Sequence, residues 1–195
     1  MYHGIINVYK EAGFTSHDVV AKLRGICKQK KIGHTGTLDP DAVGVLPVCL
    51  GCATRLCDML TEKDKEYVAV LRLGVTTDTQ DITGKVLAEK EVTESVEKVR
   101  EVISSFQGEQ LQIPPMYSAL KVNGKKLYEL AREGKEIERK ARPIVVHEIE
   151  ILSENMPEFT IRIKCSKGTY IRTICHDIGQ KLSCGGAMVS LKRTK

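Results

Sequence analysis

The segment GHTGTLDPDAVGVLP, Gly33 to Pro47, sets a carboxylate in a run that is half turn and half core. Three glycines and two prolines are turn chemistry, yet Leu38, Val43, Val45 and Leu46 are apolar and tend to bury themselves. Pro40 restricts Asp39 to extended backbone geometry, and Gly36 and Gly44 permit tight bends on either side. The product is a carboxylate held rigidly on an apolar turn, a candidate for chemistry; the plainer reading is an Asx-turn or helix cap. A buried carboxylate tends to be protonated unless a cation sits beside it. KGTYIRT, Lys167 to Thr173, offers Tyr170 and Arg172 at the start of a helix, although Arg172 alone also suits a surface position.

These residues need elements to hold them. GIINVYK (Gly4 to Lys10) predicts a first strand. Thr15 or Ser16 caps a helix in which Val19, Val20, Leu23 and Ile26 recur at helical spacing. A short helix over 53–60 leads out of the Asp39 loop. EYVAVLRLG (Glu66 to Gly74) alternates as a strand, TTDTQDITG (Thr76 to Gly84) predicts a polar loop, and GKVLAEKEV resumes a strand. Val96, Val99, Ile103 and Phe106 space a helix, and the pair Pro114 and Pro115 breaks the pattern. Asn123-Gly124 predicts a tight turn, with helical spacing after it at Leu127, Leu130 and Ala131. IVVHEIEIL and EFTIRIKC predict an antiparallel pair turning near Asn155 and Pro157. Residues 169–182 predict a helix stopped by Gly185-Gly186, and AMVSLKR a short strand. Strands and helices without strict alternation give an α+β fold.

The 195 residues suffice for one domain or two small fused lobes. A chain that is 42% hydrophobic and 28% charged is globular and not disordered. No apolar run approaches the about 20 residues of a membrane span, and no export signal opens the chain. The seven cysteines are therefore expected as reduced thiols in a cytoplasmic protein. Cys49, Cys52 and Cys57 offer half a zinc site, but no second pair follows at a suitable spacing. Adjacent Cys175 and His176 are poor ligand geometry, so small buried thiols and no metal are the expectation. The net charge of +5 is clustered: Lys22 to Lys31 lead into the Asp39 loop, and basic residues crowd 121–142. Such patches suit a phosphate backbone, with a solvated face as the alternative. Lys121, Lys125 and Lys126 are the candidates for phosphate contact.

Set out in order, these segments carry a resemblance. GHTGTLDPDAVGVLPVCLGCATR resembles the G-H-T-G-x-L-D-P signature of the TruB family of tRNA pseudouridine synthases. DKEYVAVLRLGVTTDTQDITG looks like that family's Tyr-bearing strand and polar loop, and CSKGTYIRTICHDIG like its Arg-bearing motif. IPPMYSALKVNGKKLYELAREG and RPIVVHEIEI are similar to its middle segments. The resemblance implies a pseudouridine synthase fold, a mixed central β-sheet flanked by helices. It implies isomerisation of the T-loop uridine of tRNA (position 55 in conventional tRNA numbering), with neither metal nor organic cofactor. Asp39 would be the nucleophile, attacking either the uracil ring or the sugar C1′. Arg172 would hold Asp39 ionised. Tyr67 would stack on the target base and help to remove the C5 proton, and Tyr170 and Leu191 would line its pocket. His34, otherwise a turn-capping loop residue, would wedge into the space left by the flipped uridine.

Two departures from the pattern bear on these expectations. Where the family reads K-P-x-G, this chain reads Lys10-Glu11-Ala12-Gly13, which makes the turn under the Asp39 loop less rigid. The sequence stops at Lys195, so residues 1–195 are expected to be a catalytic domain without the family's usual C-terminal RNA-binding (PUA-like) domain. The expected partner is the T-arm of tRNA, bound by a monomer with no membrane and no protein partner. Three rivals stand beside this reading: a guide-RNA-dependent synthase of the dyskerin type, a non-catalytic RNA-binding module, and a zinc-dependent nucleic-acid protein.

Overall fold

The structure is a computed structural model that describes residues 1–122 and 124–195, so the expected turn at Asn123-Gly124 lies, at Asn123, outside the described residues. In chain order its elements are β1 (Gly4–Lys10), α1 (Ser16–Cys27), β2 (Ile32–His34) and β3 (Val43–Leu50). A 3-10 segment (Gly51–Leu56), α2 (Cys57–Thr61), β4 (Lys65–Leu73), β5 (Val75–Thr77) and β6 (Val86–Glu89) follow. Then come α3 (Val96–Ser104), β7 (Gly108–Gln112), β8 (Lys121–Val122), β9 (Lys125–Lys126) and α4 (Leu127–Arg132). The chain closes with β10 (Arg142–Asn155), β11 (Glu158–Cys165), α5 (Ile171–Lys181) and β12 (Gly186–Arg193). The described residues divide into two units, Met1–Val68 with Ser190–Lys195, and Ala69–Val189. Strands β4 and β12 each belong to both.

The first unit is organised around β3. One edge of β3 pairs antiparallel with β1, from Gly4↔Leu50 to Lys10↔Gly44. The other carries β2, antiparallel through His34↔Val48, and the end of β12, parallel through Arg193↔Gly44. Thr15 starts α1 as expected: its hydroxyl accepts from the Asp18 N–H at 3.1 Å, and the Asp18 carboxylate accepts from the Thr15 N–H at 2.8 Å. This reciprocal box satisfies two donors that the first helical turn leaves open. Val19 and Val20 then bury against Ile32, Leu46, Val48 and Leu50, with Leu23 packed at the margin. Ile26, expected on the same stripe, is 73% exposed, one residue before α1 ends.

In the second unit β10 pairs antiparallel with β11 and, on its other edge, with β7. The alternation of EFTIRIKC is realised in full: Phe159, Ile161, Ile163 and Cys165 are buried, and the residues between them are not. Helix α5 buries Ile171, Ile174, Cys175 and Ile178. Strands β5 and β6 form a hairpin on the flank of the 76–84 loop. The sheet is mixed, parallel at β12·β3 and antiparallel in the other pairings described here, with helices flanking it. The fold is α+β, as the sequence predicts.

One expectation is corrected in extent. Gly33 to Pro47 is not loop throughout, because β2 and β3 take its two ends and leave residues 35–42 as the turn. The apolar residues account for this: along Val43–Leu50 burial alternates and then becomes continuous, which suits a strand paired on both edges. Pro47 has no N–H for the ladder, but its carbonyl accepts from the Thr35 N–H at 3.1 Å and closes the loop. Strand β7 is not predicted by the sequence; GEQLQ is mostly polar and gives no alternating apolar signal.

Candidate active site

Residues 35–42 present Asp39 from a loop tied down on every side within the first unit. Leu38, 3% exposed, anchors it from below, and its N–H donates to the Ser16 hydroxyl at 2.9 Å. The Asp39 carbonyl accepts from the Ala42 N–H at 3.1 Å, which tightens the turn after Pro40. The Pro40 carbonyl accepts twice, from the Gly13 N–H at 3.0 Å and from the Lys10 ammonium at 2.9 Å. From the far end of the chain, Arg193 donates to the carbonyls of Val45 at 2.7 Å and Gly36 at 3.3 Å. Asp39 itself is half-buried. The sequence KEAG therefore supports this loop although it lacks the proline of the family pattern, because the supporting groups are a lysine ammonium and a glycine N–H.

Sequence reasoning misses Lys10. It closes β1 with its side chain fully buried, and it also donates to the carbonyls of Glu11 and Phe14 at 3.0 and 2.6 Å. Burial lowers its pKa, against the opposing pull of Asp41, Asp39 and Asp18. A buried cation thus stands in the field of Asp39 inside this unit and favours its ionised form. The one hint in the sequence is a lysine ending an otherwise apolar strand, shortly before a glycine turn.

His34 ends β2, half-buried, with the edge of one ring set against the face of the other in a pair with His17 at 5.1 Å and 82°. Its Nδ1 accepts from the Gly36 N–H at 3.4 Å, so the neutral ring carries its proton on Nε2. Burial, then the charges of His17 and Arg193, hold its pKa below the ordinary histidine value, and the ring is neutral at physiological pH. An open groove of about 490 Å³ beside it is lined by His17, Arg24, Lys30, Lys31 and His34 together with apolar residues. Tyr67 on β4 and Leu191 on β12 are half-buried in the same unit. Leu191 stands two residues before Arg193, on the strand face from which Arg193 reaches the loop.

Tyr170 and Arg172 lie in the second unit. Tyr170 is the N-cap of α5, and its backbone is held from both sides by Gln112: its N–H donates to Oε1 at 2.9 Å and its carbonyl accepts from Nε2 at 3.0 Å. Arg172 is 6% exposed in the first turn of α5, where the helix dipole disfavours a cation. Asp81 offsets this, with Oδ2 at 3.7 Å from the Arg172 guanidinium. The Asp81 carboxylate is fixed in turn by the hydroxyls of Thr79 and Thr83 at 2.8 and 2.6 Å and by the Thr83 N–H at 3.0 Å. Beside it, Thr173 donates to Gln80 at 2.7 Å. The polar loop 76–84 is therefore built around the arginine, a relation that no local sequence signal reveals.

Lys121 and Lys126 are direct cross-strand partners in the β8–β9 hairpin. Lys121 and Lys125 are exposed, and Lys126 donates to the Tyr128 hydroxyl at 3.1 Å. Like charges directly opposite destabilise a strand pair unless an anion screens them. Among the described residues no three His, Cys, Asp or Glu side chains gather to hold a metal ion, and no helix is long and apolar enough to cross a membrane.

Comparison with known proteins places this geometry. Residues 24–171 match the model of the TruB family pseudouridylate synthase N-terminal domain, and residues 172–195 that of the tRNA pseudouridylate synthase B C-terminal domain. The chain belongs to the TruB family. Its TruB relatives include the tRNA pseudouridine synthase B of Clostridium novyi, 55% identical over 193 residues, which are 99% of this chain and 67% of that protein. The same-named protein of Lachnoclostridium phytofermentans is 63% identical over 201 residues, 99% of this chain and 66% of the relative. The chain thus spans about two thirds of the length of the TruB proteins it matches. Among solved structures, it superposes on a chain of a Cbf5-Nop10-Gar1 complex with a TM-score of 0.77 and 36% identity, over 99% of this chain and 48% of that one. A chain of an H/ACA RNP bound to a substrate RNA containing 2′-deoxyuridine gives 0.74 and 32%, over 99% of this chain and 47% of that one. The pseudouridine synthase fold expected of a TruB protein is therefore the fold observed.

Proposed function

We propose that the chain isomerises the uridine at position 55 in the T-loop of tRNA to pseudouridine. The observation that carries this reading is the clamped 35–42 loop, in which core, backbone and two buried cations immobilise a single half-buried carboxylate. Membership of the TruB family supports the choice of reaction and of RNA.

Asp39 is the nucleophile. Its carboxylate attacks the uracil ring or ribose C1′, the bond between N1 and C1′ breaks, the base turns, C5 bonds to C1′, and the bond to Asp39 breaks to restore the carboxylate. The C5 proton then leaves, and Tyr67, stacked on the base, assists its removal. Arg172 keeps the nucleophile ionised, and Asp81 orients the guanidinium. Tyr170 and Leu191 line the pocket for the base. The uridine must first leave its stack, at a cost of a few kcal/mol. His34, neutral and braced by His17 and Gly36, fills the gap with an aromatic face, and the basic groove beside it takes the RNA backbone. The exposed lysines of the β8–β9 hairpin add phosphate contacts. The chain acts on tRNA in the cytoplasm, as a monomer that needs neither guide RNA nor a partner protein.

The test is tritium release from a T-stem-loop RNA carrying 5-tritiated uridine, with the wild type and Asp39→Asn. Release by the wild type alone supports the reaction and its nucleophile. Equal release by both chains overturns the role of Asp39. No release by the wild type from either the stem-loop or whole tRNA, with the RNA bound, overturns the proposed substrate.

A further inference from the structure

Cys57 carries a thiol for which the proposed isomerisation has no use. It opens α2, is half-exposed, and lines the basic groove beside His34. Its Sγ lies 3.2 Å from where a Cβ on Gly33 would stand, so the sulfur occupies space that Gly33 leaves open. Gly33 is the direct cross-strand partner of Cys49. In such a pair the two Cβ positions face each other at about 4.5–5.5 Å on one side of the sheet. Cys57 Sγ therefore stands opposite the Cys49 side chain, with the two thiols as neighbours. Cys49 is fully buried; loss of water and then the neighbouring Cys57 thiol push its own thiol up to about 11. One sulfur of the pair is reachable from the groove, and the other is sealed behind it. The remaining member of the sequence cluster, Cys52, is exposed on the 3-10 segment, so the pairing that the structure selects is not the C-x-x-C of the sequence.

We propose that Cys57 and Cys49 form a peroxide-reactive dithiol, in which Cys57 attacks a hydroperoxide and Cys49 resolves the product as a disulfide. The Cys57 sulfur attacks the terminal oxygen of the hydroperoxide and the O–O bond breaks. The alcohol, or water from hydrogen peroxide, leaves with the thiol proton, and Cys57 becomes a sulfenic acid. The Cys49 sulfur then attacks the Cys57 sulfur, the S–O bond breaks, and the hydroxyl leaves as water with the Cys49 proton. The two sulfurs together lose two electrons to the peroxide. Oxidation joins them by a bond of about 2.05 Å and ties α2 to β3 in the wall of the groove.

The test uses the full chain with Cys52→Ser, treated with hydrogen peroxide under native conditions, blocked with iodoacetamide and digested with trypsin. Cys49 then falls in the peptide Ile32–Arg55 and Cys57 in Leu56–Lys63, so the disulfide joins two separate peptides. Mass spectrometry is expected to find them linked, two hydrogens lighter than their sum, and parted by dithiothreitol. Cys57→Ser is expected to abolish the link, and Cys49→Ala to let Cys57 run on to sulfinic acid. If either variant fails to fold, the Cys52→Ser chain decides alone, and its linked peptide supports the proposal. A Cys57 that stays reduced, becomes sulfinic with Cys49 present, or links to Cys27 instead overturns it.

Discussion

The ammonium of Lys10 donates to the carbonyl of Pro40 at 2.9 Å, and Pro40 is the residue that follows the candidate nucleophile. Two further carbonyls, those of Glu11 and Phe14, share the same ammonium. One buried cation thus joins the end of β1, the start of α1 and the Asp39 loop. Its removal takes a donor from three carbonyls in part-buried bonds, of which that of Pro40 keeps the Gly13 N–H, and the loss of a donor by a buried acceptor costs about 1–3 kcal/mol. Lys10→Met is expected to destabilise the chain by about 3 kcal/mol, as the total of several weakened contacts. It should also lower the rate of isomerisation more than it lowers RNA affinity. Urea unfolding and single-turnover assays check both, and an unchanged rate constant would mean that the loop does not depend on this tie.

Glycines 44 and 25 give opposite expectations from the same substitution. Gly44 has φ +114, and a Cβ there would stand 2.1 Å from the Arg193 carbonyl, where β12 runs parallel to β3. Gly44→Ala is expected to cost at least about 3 kcal/mol through strain and displacement of Arg193. Gly25 lies on the exposed side of α1, and a Cβ there would meet nothing within 4 Å. Gly25→Ala should therefore stabilise by about 0.5–1 kcal/mol. Thermal melts of the two variants should move in opposite directions.

Burial pushes the Asp177 carboxyl on α5 up to about 6, above its ordinary 3.8. The folded chain then holds a proton that the unfolded chain releases between these values. This group's contribution is most favourable below the lower value and is lost as pH rises through about 6. Asp177→Asn mimics the protonated form. Its advantage over the wild type should grow from near zero at pH 4 to about 1 kcal/mol at pH 7, after allowance for partial exposure. Urea midpoints at the two pH values test this, and equal differences at both would refute it.

Asp81 sets Arg172 in the second unit through Oδ2, and its Oδ1 is held by Thr79 and Thr83. Asp81→Asn keeps the shape and an acceptor but removes the charge. The turnover of bound RNA is expected to fall on the order of tenfold or more, about 1.4 kcal/mol, with KM little changed. Single-turnover kinetics at saturating RNA provide the measurement; a change confined to KM would assign Asp81 to binding instead.

Legibility in the sequence follows the range of the interaction. The helix cap at Thr15, and the alternation of Phe159, Ile161, Ile163 and Cys165, are local patterns, and the structure reproduces them. The Asp39 loop is legible as half core and half turn because proline, glycine and apolar residues each impose their own constraint nearby. Lys10, Arg193 and Asp81 are not, because each acts on a partner about 30 to 157 positions away, a separation that no spacing rule encodes. The Cys49–Cys57 pair is hidden for a related reason. The strand register that puts Gly33 opposite Cys49 is fixed by β2, a three-residue strand inside what reads as a loop.

The lysines of the β8–β9 hairpin give the last expectation. Lys121 faces Lys126 across the strand pair, and Lys121 and Lys125 are exposed. The hairpin thus concentrates positive charge where a phosphate would relieve the repulsion. A lysine on a phosphate releases a counterion when RNA binds, so removing it lowers the salt slope by about 0.7–0.9. Lys121→Ala and Lys125→Ala are each expected to weaken T-stem-loop binding several-fold at low salt and to flatten the slope by that amount. Turnover of bound RNA should be unchanged, because neither side chain belongs to the chemistry. Binding isotherms across a salt series decide the matter: an unchanged slope in both variants would return these lysines to the solvated surface.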